Sequence, residues 1–545
     1  MSVKSIRLND RNLLASDYVK GKLRDFFTYQ PFAPLNDRIE HLRTRTYPRN
    51  ELVSLLTETN KHWGADESTL QQIERLKYDD AVVVVGGQQA GLFTGPLYTV
   101  HKIISIIKFA KQQEEKLNVP VIPLFWIAGE DHDYDEINHI YTISNNDLNK
   151  RKIQQEEWIK RSISDIELDK ELLELWIKQV LNDLIETEHT KSLVTKILHQ
   201  AEKSVTFVDF FARIVFELFR DEGIVLLDSA NEQLRQLESE WFEKLIKQQA
   251  QITQAVYNTA QQIHQSGYSV QVDVERNDGN LFYHDEQNER ILLVRENSNW
   301  IGKNNEVLFT TEELLAIAKN EPHRLSNNVI TRPLMQEAML PTLAFIAGDG
   351  EISYWALLKD AFKEFDEKFT MPPVIPRLSI TLINERIDKL LNERSLDEDY
   401  IVNNGCKMLK LNWLSTQKNP PVNLIFEEAK ANVAEIHKPL QELAQSIGPD
   451  LLGEAERNLR NILEELSYLE HKTLQHIKRK YSFELDQFQE INLALRPKNS
   501  LQERVLNVFS FLNECGESFI KELIELDLSF TEDHHLIYLH KLKEK

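Results

Sequence analysis

Apolar residues gather in five short runs, 81–85, 121–128, 223–228, 341–347 and 373–376, each bounded by polar or glycine-rich positions. Runs this short read as buried strands. Between them lie stretches with helical periodicity at 97–111, 207–220, 231–264 and 351–365. Strand alternating with helix predicts an α/β fold, a Rossmann-like doubly wound parallel sheet whose chemistry sits at the carboxyl ends of its strands. Residues 1–80 read as helical packing ahead of the first strand. Two insertions interrupt the alternation. Residues 140–205 read as helical and charged; residues 268–310 alternate apolar and polar positions around turns such as Asn277-Asp278-Gly279, which predicts a small antiparallel β element.

A different pattern follows. Phe426, Ala429, Val433, Ile436, Leu440, Leu443 and Ile447 step by threes and fours, and after Gly448-Pro449-Asp450 the pattern resumes at Leu452, Ala455, Leu459, Ile462, Leu466, Leu469, Thr473 and His476. That spacing specifies a helical seam, and so short a turn makes the two helices antiparallel, with Asp450 placed to cap the second. The domains expected are a core over 1–382, a coiled-coil domain over 383–495 and a helical segment over 496–545 that returns to the core. The length of the hairpin suggests a homodimer contact.

Charge narrows the range of partners. Lys and Arg total 64 against 86 Asp and Glu, a net −22, which repels a nucleic-acid backbone. No apolar stretch reaches the roughly 20 residues that span a bilayer, so no membrane partner is expected. Two cysteines, Cys406 and Cys515, build neither a disulfide framework nor a cysteine zinc site, and the expected location is the reducing cytoplasm.

The first strand runs into Gly86-Gly87-Gln88-Gln89-Ala90-Gly91-Leu92-Phe93-Thr94-Gly95-Pro96. Glycines permit close backbone approach, and Pro96 suits a helix start, so the loop and the helix behind it form a candidate anion cradle. A turn needed only for packing is the alternative. Tyr98 and Lys102 share a face of that helix, which makes Lys102 a candidate anion partner. After the second strand comes Trp126-Ile127-Ala128-Gly129-Glu130-Asp131-His132-Asp133, followed by His139. Glu130, Asp131 and Asp133 are candidates to hold an amine and His132 a candidate base; a metal site using His132 and His139, or a solvated turn, is the alternative. Near the fourth strand, Arg332 is a candidate carboxylate partner, and Glu351 and Tyr354 lie just past the glycines at 348 and 350.

At 86–102, 126–139, 327–341, 347–355 and 497–507 the chain resembles the bacillithiol biosynthesis cysteine-adding (BshC) family. The resemblance covers essentially the whole chain. It implies a ligase that joins cysteine through an amide bond to the amine of glucosaminyl-malate, with ATP or another nucleotide as the activating substrate; no metal is predicted. It also implies a core similar to that of class I aminoacyl-tRNA synthetases. At the turn where those enzymes carry HxGH this chain reads Phe93-Thr94-Gly95-Pro96, and the candidates for their lysine loop are Arg377-Leu378-Ser379 and Lys498-Asn499-Ser500. Under this reading Gly86, Gly87, Gln88, Gln89, Gly91, Thr94 and Gly95 cradle an anion, Lys102, Asp131 and His132 are catalytic, and Tyr98, Trp126, Glu130, Asp133, Arg332, Glu351 and Tyr354 bind substrate. A metal-dependent hydrolase or transferase built on 130–139 and a non-catalytic dimeric scaffold are the rival readings.

Overall fold

A computed structural model of the chain describes residues 1–9, 11–417 and 420–540. It divides into two compact units, one made of residues 1–385 and 500–545, the other of Arg386–Asn499.

The first unit is built on a five-stranded parallel sheet of Val82–Gln88, Val121–Ile127, Val225–Asp228, Thr342–Ala347 and Val374–Pro376. Numbered in chain order, these strands lie 5-4-1-2-3 across the sheet, with every neighbouring pair parallel. All five apolar runs therefore become strands. Side chains alternate across a strand, and this sheet buries both sets. Val82 and Val84 join one core with Val100, Ile104 and Phe211, while Val83 and Val85 join another with Leu56, Ile246 and Trp355. Helices cover both faces, which is why the strands carry apolar residues at nearly every position.

The insertion over 140–205 departs from its helical expectation. It opens with a hairpin, His139–Ser144 against Asp147–Lys152, before the helices Lys170–Asn182 and Thr190–Lys203. Asn145 and Asn146 form its two-residue turn with φ of 51° and 59°, the left-handed conformation that asparagine tolerates and that matches strand twist. The insertion over 268–310 does form β structure: Asp278–His284, Arg290–Glu296, Asn299–Gly302 and Leu308–Thr310, joined by Leu325–Asn327 from beyond it.

The chain ends of this unit also differ from expectation. Ser2–Ile6 is a strand, not helical packing, and pairs antiparallel with His534–Leu539, which pairs in parallel with Ser379–Asn384. Among its described residues the final segment has α-helices at Phe509–Cys515 and Phe519–Glu525 and short 3-10 turns at Pro497–Asn499 and Gln502–Arg504, and its last five residues lie outside those described.

In the second unit, helices Val422–Ile447 and Pro449–Lys480 form the expected antiparallel hairpin, with Lys430 Nζ 2.6 Å from Glu470 and His437 Nε2 3.0 Å from Asn458 Oδ1. Gly448 is the N-cap of the second helix and Pro449 occupies its first turn, so Asp450 lies inside the first turn and not at the cap position. The predicted seam only partly faces inward. Phe426, Ala429 and Val433 are half-buried, but Ile436, Leu440, Leu443 and Ile447 are 53–73% exposed, and His437 and Ala444 take the inner positions.

Candidate active site

Between the first and fourth core strands the chain order of the sheet reverses, and a crevice opens beyond the strand ends there, the usual ligand position in such sheets. A cavity of about 600 Å³ occupies it. From the predicted set, Gly87, Gln88, Gln89, Tyr98, Lys102, Trp126, Glu130, Asp131, His132, Arg332, Glu351 and Tyr354 line this cavity; Gly86, Gly91, Thr94, Gly95 and Asp133 do not.

The reason is local packing. Gly86 is buried, and a Cβ there would meet Ile106 and the Ile346 carbonyl at 3.0 Å. The segment from Gly91 to Gly95 is buried throughout, Phe93 packs among Trp176, Phe210 and Phe509, and Asn507 Nδ2 donates to the carbonyls of Phe93 and Gly95. At the start of helix Leu97–Leu117, the Leu97 N–H donates to Leu506 O. The protein itself fills the 91–95 part of the expected anion cradle, and that part does not fit the phosphates of a nucleotide. Gly87 does reach the cavity, and only glycine suits it, because a Cβ would lie 2.7 Å from Trp126 O on the neighbouring strand.

Lys102 is 1% exposed, and its ammonium donates to Gly87 O at 2.7 Å, Gln88 Oε1 at 3.1 Å and Glu351 Oε2 at 2.6 Å. A lysine has three N–H donors, and all three are used. Lys102 is therefore a strut that fixes the first strand end to Glu351, not a free partner for a substrate anion. Burial pushes its pKa down and Glu351 opposes that shift. Glu351 also accepts from the Gly348 N–H at 2.7 Å, tying the start of helix Asp349–Trp355.

The acidic stretch after the second strand divides by function of place. Glu130 is 4% exposed and its Oε2 accepts from Arg235 Nη2 at 2.6 Å, so its charge is neutralised within the fold and not offered to an amine. Asp133 is exposed and away from the cavity wall, at the start of the short helix Tyr134–Ile137. Asp131 faces the cavity, accepting from Gln89 Nε2 at 2.7 Å through Oδ2 and from the His132 N–H at 2.8 Å through Oδ1. Gln89 Nε2 also donates to Glu136 at 2.6 Å, and burial raises the Glu136 pKa. Gly129 permits this turn: a Cβ would stand 2.2 Å from both Asp228 Oδ1 and Ser164 Oγ.

His132 Nδ1 lies 3.1 Å from Arg290 Nη1. A guanidinium only donates, so Nδ1 accepts and the neutral ring carries its proton on Nε2. Burial, then the charge of Arg290, lowers the His132 pKa. With its one lone pair engaged, His132 is a hydrogen-bond donor to the cavity and not the base expected from sequence.

Arg332 is half-buried; Nη2 donates to Tyr354 OH at 2.6 Å and the guanidinium lies 5.7 Å from the Phe345 ring centre. No carboxylate pairs with it among the described residues. Burial pushes the Tyr354 pKa up to about 12, keeping its hydroxyl protonated. Several lining residues carried no sequence assignment: Phe282, Arg290, Asn327, Arg377 and Arg504. Arg377, met only as a candidate for the lysine loop, is gripped by Glu503 at 2.7 and 2.8 Å, and Arg504 is exposed with no ion pair among the described residues. Asn327, Arg377 and Arg504 fall in or beside quoted motifs; Phe282 and Arg290 sit in the β insertion, where nothing in the local sequence signals a site. His101 packs away from the cavity, its Nδ1 3.0 Å from Glu503. No group of three or more His, Cys, Asp or Glu side chains converges on a metal position among the described residues, so the 130–139 cluster forms no ligand set.

Comparison with known proteins agrees with this architecture. The model of the bacillithiol biosynthesis BshC N-terminal Rossmann-like domain matches residues 1–378, and that of the BshC C-terminal coiled-coil domain matches residues 380–539. Proteins named "Putative cysteine ligase BshC" from Oceanobacillus iheyensis, Geobacillus sp. and Bacillus cytotoxicus are 39%, 41% and 40% identical, each aligned over 99% of this chain and the whole of the relative. With both domain models and full-length relatives in agreement, the chain belongs to the bacillithiol biosynthesis BshC family.

Proposed function

We propose that this enzyme joins the carboxyl group of cysteine to the amine of glucosaminyl-malate, forming the amide bond of bacillithiol. The observation that carries the reading is Arg332, a half-buried cation at the switch point of the sheet, facing the cavity without a carboxylate partner among the described residues. Burying an unpaired charge is costly, and a malate carboxylate supplies the missing partner, with Arg504 beside the same cavity for a second anionic group. Asp131, which lines the cavity, shares the Gln89 amide with Glu136, and the two carboxylates supply negative charge suited to an ammonium.

Amide formation from a free carboxylate is uphill in water, so the cysteine carboxyl is activated, and ATP is the activating substrate in this reading. Its phosphates do not use the filled 91–95 loop. In the joining step the amine nitrogen attacks the activated carbonyl carbon, the C–N bond forms and the bond to the activating group breaks. The departing amine proton passes to Asp131, while the His132 Nε2–H donates to the substrate. The homodimer belongs to the same proposal, supported by the exposed stripe from Ile436 to Ile447. So does a cytoplasmic location; no helix among the described residues is long and apolar enough to cross a membrane.

The test is to incubate the purified protein with cysteine, glucosaminyl-malate and ATP and to look for the thiol product by mass spectrometry. Asp131→Asn is expected to abolish product with the melting temperature nearly unchanged. Absence of product from the unaltered protein defeats the ligase reading, and equal loss of folding in the variant marks the cluster as structural.

A further inference from the structure

Among the described residues, two buried polar groups in the cavity wall lack a partner. Trp126 is 1% exposed and its indole Nε1–H meets no acceptor; Asn327 is 3% exposed and its side-chain Oδ1 meets no donor. Leaving such groups unpaired in the interior costs free energy, and both line the cavity. The Nε2–H of His132 is a third group on the same wall. Arg290 ties the wall together, with Nη1 3.1 Å from His132 Nδ1, Nη2 donating to Asn327 O at 2.7 Å, and the guanidinium 3.7 Å from the Phe282 ring centre.

The three free groups are all uncharged and of mixed polarity. A carboxylate or phosphate, which only accepts, leaves Asn327 Oδ1 without a donor. An ammonium, which only donates, leaves the Trp126 N–H without an acceptor. A hydroxyl does both. Phe282 and Trp126 add aromatic surface for the C–H faces of a ring. We propose that this wall is a polyhydroxyl subsite that holds the sugar ring of a sugar–dicarboxylate substrate, while the carboxylates extend to Arg332. The assignment rests on the reading of glucosaminyl-malate as the acceptor.

Titration calorimetry on the full-length protein, with glucosaminyl-malate and with malate alone, tests it. Trp126→Phe keeps an aromatic ring but removes the N–H together with part of the indole, and the malate control reports any general effect of the lost volume; Asn327→Ala removes the acceptor. Each is expected to weaken glucosaminyl-malate about 5- to 10-fold, the size of one lost hydrogen bond, and to change malate affinity by less than about twofold. Circular dichroism melting identifies a variant that has lost its fold, in which case the other variant carries the test. Equal weakening of both ligands, or no weakening of the conjugate, overturns the subsite. So does an unaltered protein that binds the conjugate no more tightly than malate, or not at all. If the selective loss is seen but no cysteine adduct forms, the ligase reading fails and the subsite stands.

Discussion

The side-chain amide of Gln89 donates to Asp131 Oδ2 across 2.7 Å, joining the turns that leave the first two parallel strands. The same nitrogen reaches Glu136 at 2.6 Å, so one neutral group holds two carboxylates, of which Asp131 lines the cavity. Gln89→Leu removes that bridge and lets the two carboxylates repel each other. The expected outcome is about a tenfold rise in KM for the amine substrate with kcat reduced less, measured by steady-state kinetics; a protein whose KM is unaltered contradicts the role given to this pair.

Lys102→Met separates support from chemistry. The substitution leaves Glu351 without its buried cation, and breaking one side of such a pair costs about 3–5 kcal/mol; Glu351 keeps 20% side-chain exposure, which puts the expectation at the lower end of that range. Urea denaturation is expected to show that loss. Full retention of stability together with loss of activity would return Lys102 to a catalytic role.

Acid stability follows from buried histidines. Both ring nitrogens of His534 face hydroxyls, Nδ1 to Ser379 and Nε2 to Thr381 at 2.8 Å each, and burial pushes its pKa down to about 4. The unfolded value is about 6.5, so between these two pH values the unfolded chain binds the extra proton. Stability contributed by the neutral ring is therefore present above pH 6.5 and lost as pH falls toward 4, at up to about 1.4 kcal/mol per pH unit. His534→Gln should flatten the dependence of the unfolding free energy on pH from 6.5 to 4.5, read from urea midpoints.

Glu238 gives the opposite slope. It is 1% exposed, and burial raises its pKa to about 8 against the attraction of Arg235. The folded state keeps a proton that the unfolded chain releases above about pH 4.5, so stability from this site is present below 4.5 and lost as pH rises to 8. Glu238→Gln is expected to stabilise the protein at pH 8 by on the order of a few kcal/mol and to have little effect near pH 4.5. Equal effects at both pH values would show that the carboxyl is charged in the fold.

The outward stripe on the coiled coil supplies a test of assembly. Leu443 and Ile447 are 58% and 67% exposed. Leu443→Glu is expected to convert a dimer into a monomer in sedimentation experiments without lowering helicity. A protein that is monomeric before substitution refutes the dimer.

Much of the fold was legible in the chain because its signals are local. The five parallel strands announce themselves as apolar runs, since a sheet covered on both faces needs apolar side chains on both, and the hairpin announces itself through its three-four spacing and Gly448-Pro449. Local signals also misled. The stripe through Leu440 and Leu443 has the spacing of a seam but faces outward, because periodicity identifies an apolar face and not what covers it. The two-residue Asn145-Asn146 turn was hidden in a charged stretch read as helix.

What sequence alone determined is the parallel core, the helical hairpin and the two polar turns, around Gln89 and Asp131, from which the cavity is built. Tertiary structure decided which polar groups are spent and which are free. Lys102 and Glu130 are consumed by Glu351 and Arg235, the 91–95 loop is filled by Asn507 and Phe509, and His132 gives its lone pair to Arg290. Those partners lie 100 or more residues away in sequence. A side chain's chemistry depends on its neighbours in space, and spacing along the chain does not record them.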